Sequence, residues 1–173
     1  RMIGYGGMLM ESFVAIMALA AAVSLSPGIY FSMNTSTATM NKLAGPETVA
    51  AAPCKTTDDP EHHCEKLAES AVAKLGVTDA QGRRLTPEWD SWDDNGNPQT
   101  YTGAEALERL ANDVGEPNVV SRTGGAPTLS VGIAHILHQI GGGRAMMGFW
   151  YHFAIMFEAL FILSAVDAVT RVA

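Results

Sequence analysis

Apolar residues in this 173-residue chain are concentrated in runs near its two ends. The first run, Met8–Leu25, has 18 residues with one charge, Glu11, and ends at the helix-breaking sequence Ser26-Pro27-Gly28. The last run, Gly148–Val169, has 22 residues. A helix needs about 20 apolar residues to cross a bilayer, with a lower limit of about 17. The runs lack the polar face of a soluble helix, so they predict two membrane-spanning helices; buried helices of a soluble protein are the alternative.

A third apolar run, Thr128–Gly143, has only 16 residues and is rich in glycine. Its length and composition favour a short or re-entrant helix over a plain span. Gly124 and Gly125 precede it, and Pro127 is suited to the first turn of a helix. Such a helix start would offer unpaired N–H groups to an anionic substrate group. An ordinary turn before a helix is the other interpretation.

The polar middle of the chain contains two predicted amphipathic helices. Asp59 can cap the first helix, and Gly76 lies just beyond its end. Thr102 and Glu105 have the spacing of a capping box for the second helix, which Gly115 would terminate. Their apolar faces, at helical spacing, are Ala68, Ala71, Val72 and Leu75 in the first helix and Leu107, Leu110, Ala111 and Val114 in the second.

Between these helices, Thr86–Gln99 is rich in Asp, Asn, Gly and Pro and is predicted to be a loop that carries Trp89 and Trp92. The pattern thus divides the chain into four segments. We expect a transmembrane segment with its exit turn at 1–33, an acidic extramembrane segment at 34–123, a short or re-entrant helix at 124–147 and a transmembrane helix at 148–173.

Most charged residues lie in the middle of the chain. Residues 34–123 hold 8 of the 11 Lys and Arg and 15 of the 18 Asp and Glu, which accounts for the whole net charge of −7. Because no basic stripe exists, a nucleic-acid partner is not expected. Cys54 and Cys64 lie in this acidic segment beside His62 and His63. A disulfide, a zinc site with these histidines and two free thiols all remain open.

Ionisable residues inside the apolar runs are the candidate functional residues. A charge at the bilayer centre costs at least about 2.5–3.5 kcal/mol, so such residues tend to face the protein interior and carry a proton, an ion or a substrate. Glu158, His152, Glu11 and Asp167 meet this description, and Glu158 is central in its run. Glu11 and Asp167 are also compatible with positions near the membrane interface, and Asp167 has the i, i+4 spacing for an ion pair with Arg171.

No enzyme is predicted from the chain. It contains neither a His-Glu-x-x-His nor a Gly-x-Ser-x-Gly motif. His135 and His138, with His152 nearby in sequence, are the remaining residues for a membrane metal centre, but hydrogen-bonded interior histidines are the more ordinary interpretation. We therefore expect no cofactor and no metal.

Four strings resemble the carbon-starvation protein A family closely and in the same order along the chain. They cover most of residues 1–34 and 117–173, about half of the chain, and such long strings are far more specific than a short motif. The strings are Ile3–Leu19, Pro27–Asn34, Ser121–Leu129 and Trp150–Leu163.

The resemblance implies a bacterial inner-membrane protein with many more helices than this chain contains. It also implies uptake of peptides during carbon starvation, or of pyruvate with protons, and a broken-helix transporter architecture. Met2 stands where the family pattern has Pro, and Val169 where it has Gly. The segment Ala44–Tyr101 shows no clear counterpart in the family.

Together these observations predict an all-α fragment of a multi-pass membrane protein, with two spanning helices, one short or re-entrant helix and a polar loop containing two small helices. The expected function is secondary transport of peptides or pyruvate-like carboxylates, coupled to protons. The expected partners are substrate, proton, lipid bilayer and the remaining helices of the full-length protein. The alternative is a nontransporting sensor or assembly component whose acidic loop binds a partner.

Overall fold

A computed structural model describes residues 2–44, 68–69, 71, 86–93, 95–123 and 125–172. Cys54, Cys64 and most of the first predicted amphipathic helix lie outside these residues. In chain order, the elements are α1 (Met2–Ser24), α2 (Pro27–Asn34), α3 (Thr37–Ala44), β1 (Glu88–Trp92), β2 (Pro98–Thr102), α4 (Ala104–Val114), α5 (Ala126–Ile140), a single 3₁₀ turn (Arg144–Met146) and α6 (Met147–Val172).

The fold is mostly helical, as predicted, but the prediction of an all-α chain was wrong, because Glu88–Trp92 and Pro98–Thr102 form a two-stranded antiparallel sheet. The first apolar run forms a helix that stops at Ser24, and Ser26 caps the next helix with Pro27 in its first turn. Within the part of the chain that the structure describes, no single helix meets the length and hydropathy expected of a membrane span. Ser12–Ser24 and Pro27–Asn34 meet it jointly as a bent pair, and Met147–Leu163 is a shorter apolar helix.

The chain divides into two compact units, and the first comprises residues 1–24 and 129–173. In this unit α1 and α5 approach closely, because a Cβ atom on Gly132 would lie only 2.6 Å from the Cβ and the carbonyl oxygen of Ala21. Small residues of this kind allow two helix backbones to pack at short distance. The turn between α5 and α6 contains Gly142 with φ +86°, and Trp150 Nε1 donates to the Gly141 carbonyl at 3.2 Å.

The second unit, residues 25–128, contains a β-hairpin where the sequence predicted a loop. β1 and β2 pair antiparallel, with Trp89 opposite Tyr101 and Trp92 opposite Pro98. Trp89 and Ser91 are buried while Glu88 and Asp90 are exposed, which is the alternation of a half-buried strand. The prediction of a loop over Thr86–Gln99 was therefore wrong. Its polar residues form one short turn, and most of the remaining residues belong to the two strands.

That turn is closed by the side chain of Asp93. Its carboxylate accepts hydrogen bonds from Asn95 N at 2.9 Å, Asn97 N at 2.8 Å and Asn97 Nδ2 at 3.0 Å. The hydrogen bonds from Asn97 are the main reason why the pKa of Asp93 is lowered. Gly96 supplies the positive φ of 85° that the turn requires.

The hairpin packs on α4 through a buried carboxylate. Asp113 of α4 accepts hydrogen bonds from Trp89 Nε1 at 3.0 Å and from the Ser91 hydroxyl, and it lies 3.7 Å from Nε of Arg109. Arg109 also donates to the carbonyl oxygen of Trp92. The predicted apolar face of α4 is confirmed, since Leu107, Leu110, Ala111 and Val114 are buried, and Gly115 forms the predicted left-handed C-cap.

The predicted capping box of α4 is wrong. Thr102 is the last residue of β2, and Gly103 occupies the N-cap without a side-chain hydrogen bond. The carboxylate of Glu69 instead accepts the hydrogen bond of Ala104 N at 3.1 Å. Of the first predicted amphipathic helix, Ala68, Glu69 and Ala71 are described as helical, and both alanines are buried.

We expect Asp113→Ala to lower the free energy of unfolding by about 3 kcal/mol, because it leaves an indole N–H, a hydroxyl and a guanidinium without their shared acceptor. Denaturant unfolding followed by tryptophan fluorescence measures this loss. Asp90→Ala is the matched control, since Asp90 is exposed and its carboxylate accepts a hydrogen bond from the Thr100 hydroxyl at the surface of the hairpin. Equal losses for both variants would contradict a stabilising role of the buried carboxylate.

Candidate functional site

A cavity of about 210 Å³ lies among the helices of the first unit. Each of α1, α5 and α6 contributes to its wall, and Glu158 is the one described residue of this wall with an ionisable side chain. The remaining surface is aliphatic or aromatic, so a charge in the cavity has little to stabilise it. The lining residues are Val14 and Met17 of α1, Leu129 and Ile133 of α5, and Phe157, Glu158, Phe161 and Ile162 of α6.

The helical repeat explains why these residues line one cavity. On α6, Phe157 and Phe161 are four residues apart, as are Glu158 and Ile162, so both pairs lie on neighbouring positions of one face. Leu129 and Ile133 have the same spacing on α5. Glu158 is thereby fixed on the face of α6 that borders the cavity.

Glu158 is half-buried, and its Oε1 atom is fully buried without a hydrogen-bond partner among the described residues. Ser130 of α5 lies beside the carboxyl group, near enough to influence its charge. The Ser130 Oγ is also buried, and no hydrogen bond of normal geometry joins it to a described residue. An unsatisfied buried polar group costs about 1–3 kcal/mol, so both groups are poised to accept a partner.

Sequence reasoning identified Glu158 but missed Ser130. The signal was present as a hydroxyl residue between Leu129 and Val131 in an apolar run. A serine in a helix, however, usually forms a hydrogen bond with the helix backbone. The proximity of Ser130 to Glu158 depends on how α5 packs against α6, which the sequence does not show.

The other residues predicted to lie on the substrate or proton pathway are not among the described residues that line the cavity. His152 is exposed, with its ring 5.2 Å from that of Tyr151, and it does not line the cavity. Asp167 is exposed near the end of α6. Glu11 lies in α1, but its side chain is outside the described part of the structure, as is Arg171, the predicted ion-pair partner of Asp167.

The predicted glycine-rich helix start is described from Gly125 onward. Gly125 is exposed with φ +82° and directly precedes α5, which begins at Ala126. A left-handed conformation at this position favours glycine, because a Cβ would be strained there. Gly124 lies outside the described residues.

The two histidines of α5 lie next to each other, with ring centroids 5.3 Å apart. His138 is buried, and its Nδ1 is 3.2 Å from the carbonyl oxygen of Ala134. Among the described residues, no group of three or more His, Cys, Asp and Glu is arranged to hold a metal ion. The structure therefore adds no support to the metal-centre hypothesis for His135, His138 and His152.

These features define a helical chain with apolar helices and an isolated carboxyl group in an apolar cavity. The carbon starvation protein CstA profile matches residues 1–86 and 90–173, so the chain belongs to this family. The resemblance seen in the sequence is thereby confirmed. The match includes most of Ala44–Tyr101, so the expectation that this segment has no counterpart in the family was wrong.

Individual relatives carry the names of transporters. The chain is 45% identical to the peptide transporter CstA of Escherichia coli (strain K12) over 99% of its length, and 45% identical to the pyruvate/proton symporter BtsT of the same strain, again over 99%. It is 42% identical over its whole length to the peptide transporter CstA of Mycobacterium tuberculosis (strain ATCC 25618 / H37Rv). The chain covers 19%, 21% and 17% of these relatives, respectively, so it spans about a fifth of their length. No solved structure matches it.

Proposed function

We propose that this chain is part of a secondary transporter of the bacterial inner membrane that takes up peptides or small carboxylates such as pyruvate together with protons. The observation that carries the proposal is the Glu158 carboxyl group in an otherwise apolar cavity. The names of the relatives, two peptide transporters and one pyruvate/proton symporter, support both the class of activity and the choice of substrates. As part of this proposal, the chain takes part in transport and does not catalyse a chemical reaction.

In this proposal Glu158 is the group that takes up and releases the proton. Removal from water disfavours the ionised form of a carboxyl group, so a proton binds when the cavity is closed to bulk water and leaves when the cavity becomes hydrated. Glu11 or His152 assists by passing the proton towards the solvent, and Asp167 lies along the same proposed pathway. The proton bound at Glu158 links its own movement to that of the substrate.

The proposed membrane arrangement follows from helix lengths. α1 and α6 have 23 and 26 residues, which correspond to about 35 and 39 Å, enough to cross a hydrocarbon core of about 30 Å. α5 has 15 residues, or about 22 Å, which suits a short or re-entrant helix. The acidic segment 34–123 then lies outside the bilayer.

The start of α5 is the proposed site for a substrate carboxylate. The first N–H groups of a helix have no partner within the helix, and the helix dipole favours a negative charge there. Gly124 and Gly125 keep side chains away from this helix start, so that a carboxylate can approach the backbone.

The test is uptake of labelled pyruvate and of a labelled dipeptide by cells that carry the full-length protein, compared with cells that lack it. We expect uptake of one of these substrates, and we expect a protonophore to abolish its accumulation because the proton gradient drives it. Uptake of neither substrate would contradict the proposal. It would favour a sensor or assembly component, whose acidic second unit would be tested next for partner binding.

A further inference from the structure

The cavity of the first unit has room for one apolar side chain. Its volume is about 210 Å³, and apart from Glu158 its described wall is aliphatic or aromatic. An apolar cavity of about 150 Å³ in another protein holds a benzene molecule, so this cavity can hold a leucine or phenylalanine side chain. A whole helix, with a diameter of about 10 Å, does not fit. The size and the lining therefore match a single apolar group.

Glu158 adds one hydrogen-bonding position to this apolar wall. Its Oε1 atom is buried and has no hydrogen-bond partner among the described residues. Buried polar atoms are normally satisfied, so this oxygen indicates an occupant that brings a hydrogen-bond donor next to its apolar group. A carboxyl group keeps an acceptor oxygen whether it is ionised or protonated, so the requirement for a donor holds in both states.

We propose that the cavity binds one apolar side chain of a peptide, and that Oε1 of Glu158 accepts a hydrogen bond from the backbone N–H of the same peptide residue. The side chain and the N–H of this residue are joined through one Cα atom, so both reach a site of this size. This inference rests on the proposed function and names its substrate, because pyruvate has only a methyl group and no N–H donor.

The wall also determines which peptide residues are rejected. An aspartate side chain in the cavity would lose its hydration against residues such as Leu129 and Phe157 and would lie beside the carboxyl group of Glu158. Glycine would leave the cavity without an apolar occupant and would gain nothing from it. We therefore expect selectivity for a peptide residue with an aliphatic or aromatic side chain.

The first test is the affinity of the purified full-length protein for dipeptides, measured by isothermal titration calorimetry. Glycyl-leucine is expected to bind at least about tenfold more tightly than glycylglycine, because the leucine side chain is removed from water. Glycyl-aspartate and pyruvate should bind more weakly than glycyl-leucine. Equal affinities for glycyl-leucine and glycylglycine would overturn the inference, and would show that a side chain of another helix or a lipid chain fills the cavity. Tighter binding of glycyl-lysine than of glycyl-leucine would also overturn it, because the carboxylate alone would then select the ligand.

Val14→Phe tests the cavity directly. The larger side chain fills space next to the α5 and α6 residues of the wall, so the affinity for glycyl-leucine should fall to that for glycylglycine, which should itself change little. Ile16→Phe is the matched control, since Ile16 is an exposed residue of α1 that does not line the cavity. If Val14→Phe does not fold, Leu129→Phe provides the same comparison from α5. An unchanged preference for glycyl-leucine in the variant that folds would contradict the assignment of the cavity.

The hydrogen bond to Glu158 is tested by changing the ligand. In the ester analogue of glycyl-leucine an oxygen atom replaces the backbone N–H, while the shape and the side chain are retained. The analogue is expected to bind about tenfold more weakly, because Oε1 is then left without a donor. Equal affinities for the ester and the amide would remove Glu158 from the peptide site.

Parallel uptake assays separate this inference from the proposed function. Uptake of pyruvate without preferential binding of glycyl-leucine would leave the transport proposal standing and overturn the peptide site. Preferential binding of glycyl-leucine without uptake of any of these compounds would support the peptide site and contradict transport.

Discussion

Glu158→Gln is expected to abolish proton-driven accumulation of substrate by the full-length protein. Glutamine has the shape and polarity of the protonated carboxyl group but cannot release a proton. For a substrate without net charge, such as a zwitterionic dipeptide, one proton moving down a membrane potential supplies about 2.3 kcal/mol per 100 mV, which corresponds to about fiftyfold accumulation. We therefore expect accumulation to fall by about this factor, measured as the steady-state ratio of labelled substrate inside and outside cells.

Exchange of labelled for unlabelled substrate distinguishes loss of coupling from loss of binding. Because glutamine mimics the protonated state, this exchange should persist in Glu158→Gln. Glu105→Gln is the matched control, since Glu105 is exposed in the first turn of α4, and its accumulation should equal that of the unsubstituted protein. Protonophore-sensitive accumulation that survives in Glu158→Gln would rule out this residue as the proton carrier.

Gly132→Leu should destabilise the first unit severely. A Cβ atom at this position would meet both the side chain and the backbone of Ala21 on α1 at 2.6 Å, and backbone cannot move aside as a flexible side chain can. The helices would have to separate, at an expected cost of about 3 kcal/mol or more. Thermal unfolding of the purified full-length protein in detergent measures the change.

Two further variants make this prediction specific to the helix contact. Gly132→Ala should cause a smaller loss than Gly132→Leu. Combining Gly132→Ala with Ala21→Gly should recover only part of the loss in stability, since the carbonyl oxygen of residue 21 would still lie 2.6 Å from the new Cβ. An unfolding temperature of Gly132→Leu equal to that of the unsubstituted protein would show that α1 and α5 do not pack closely.

The sequence was most informative where structure depends on neighbours along the chain. The apolar face and the C-cap of α4 follow from spacing within eleven residues and a single glycine. The β-hairpin was missed because its burial depends on a contact between Trp89 and Asp113, which are 24 positions apart. The N-cap of α4 was misplaced for the same reason, since Glu69 is 35 positions from the N–H that it accepts.

The candidate site shows the same division. Glu158 could be identified from sequence because a carboxylate in the middle of an apolar run is conspicuous by itself. The cavity could not, because it exists only where faces of α1, α5 and α6 meet. Ser130 could not be identified as a candidate either, because its proximity to Glu158 depends on the packing of two helices and not on a local sequence pattern.

The turn at Asp93 makes the second unit suitable for recognition by an antibody fragment. Its hydrogen bonds are formed within the turn itself, and Asn95, Gly96 and Asn97 are exposed. An exposed polar epitope that is held by its own hydrogen bonds can be bound without distorting the strands beneath it. In electron cryomicroscopy of the full-length protein, such a fragment would mark the side of the membrane on which the acidic unit lies and would provide a feature for aligning particle images.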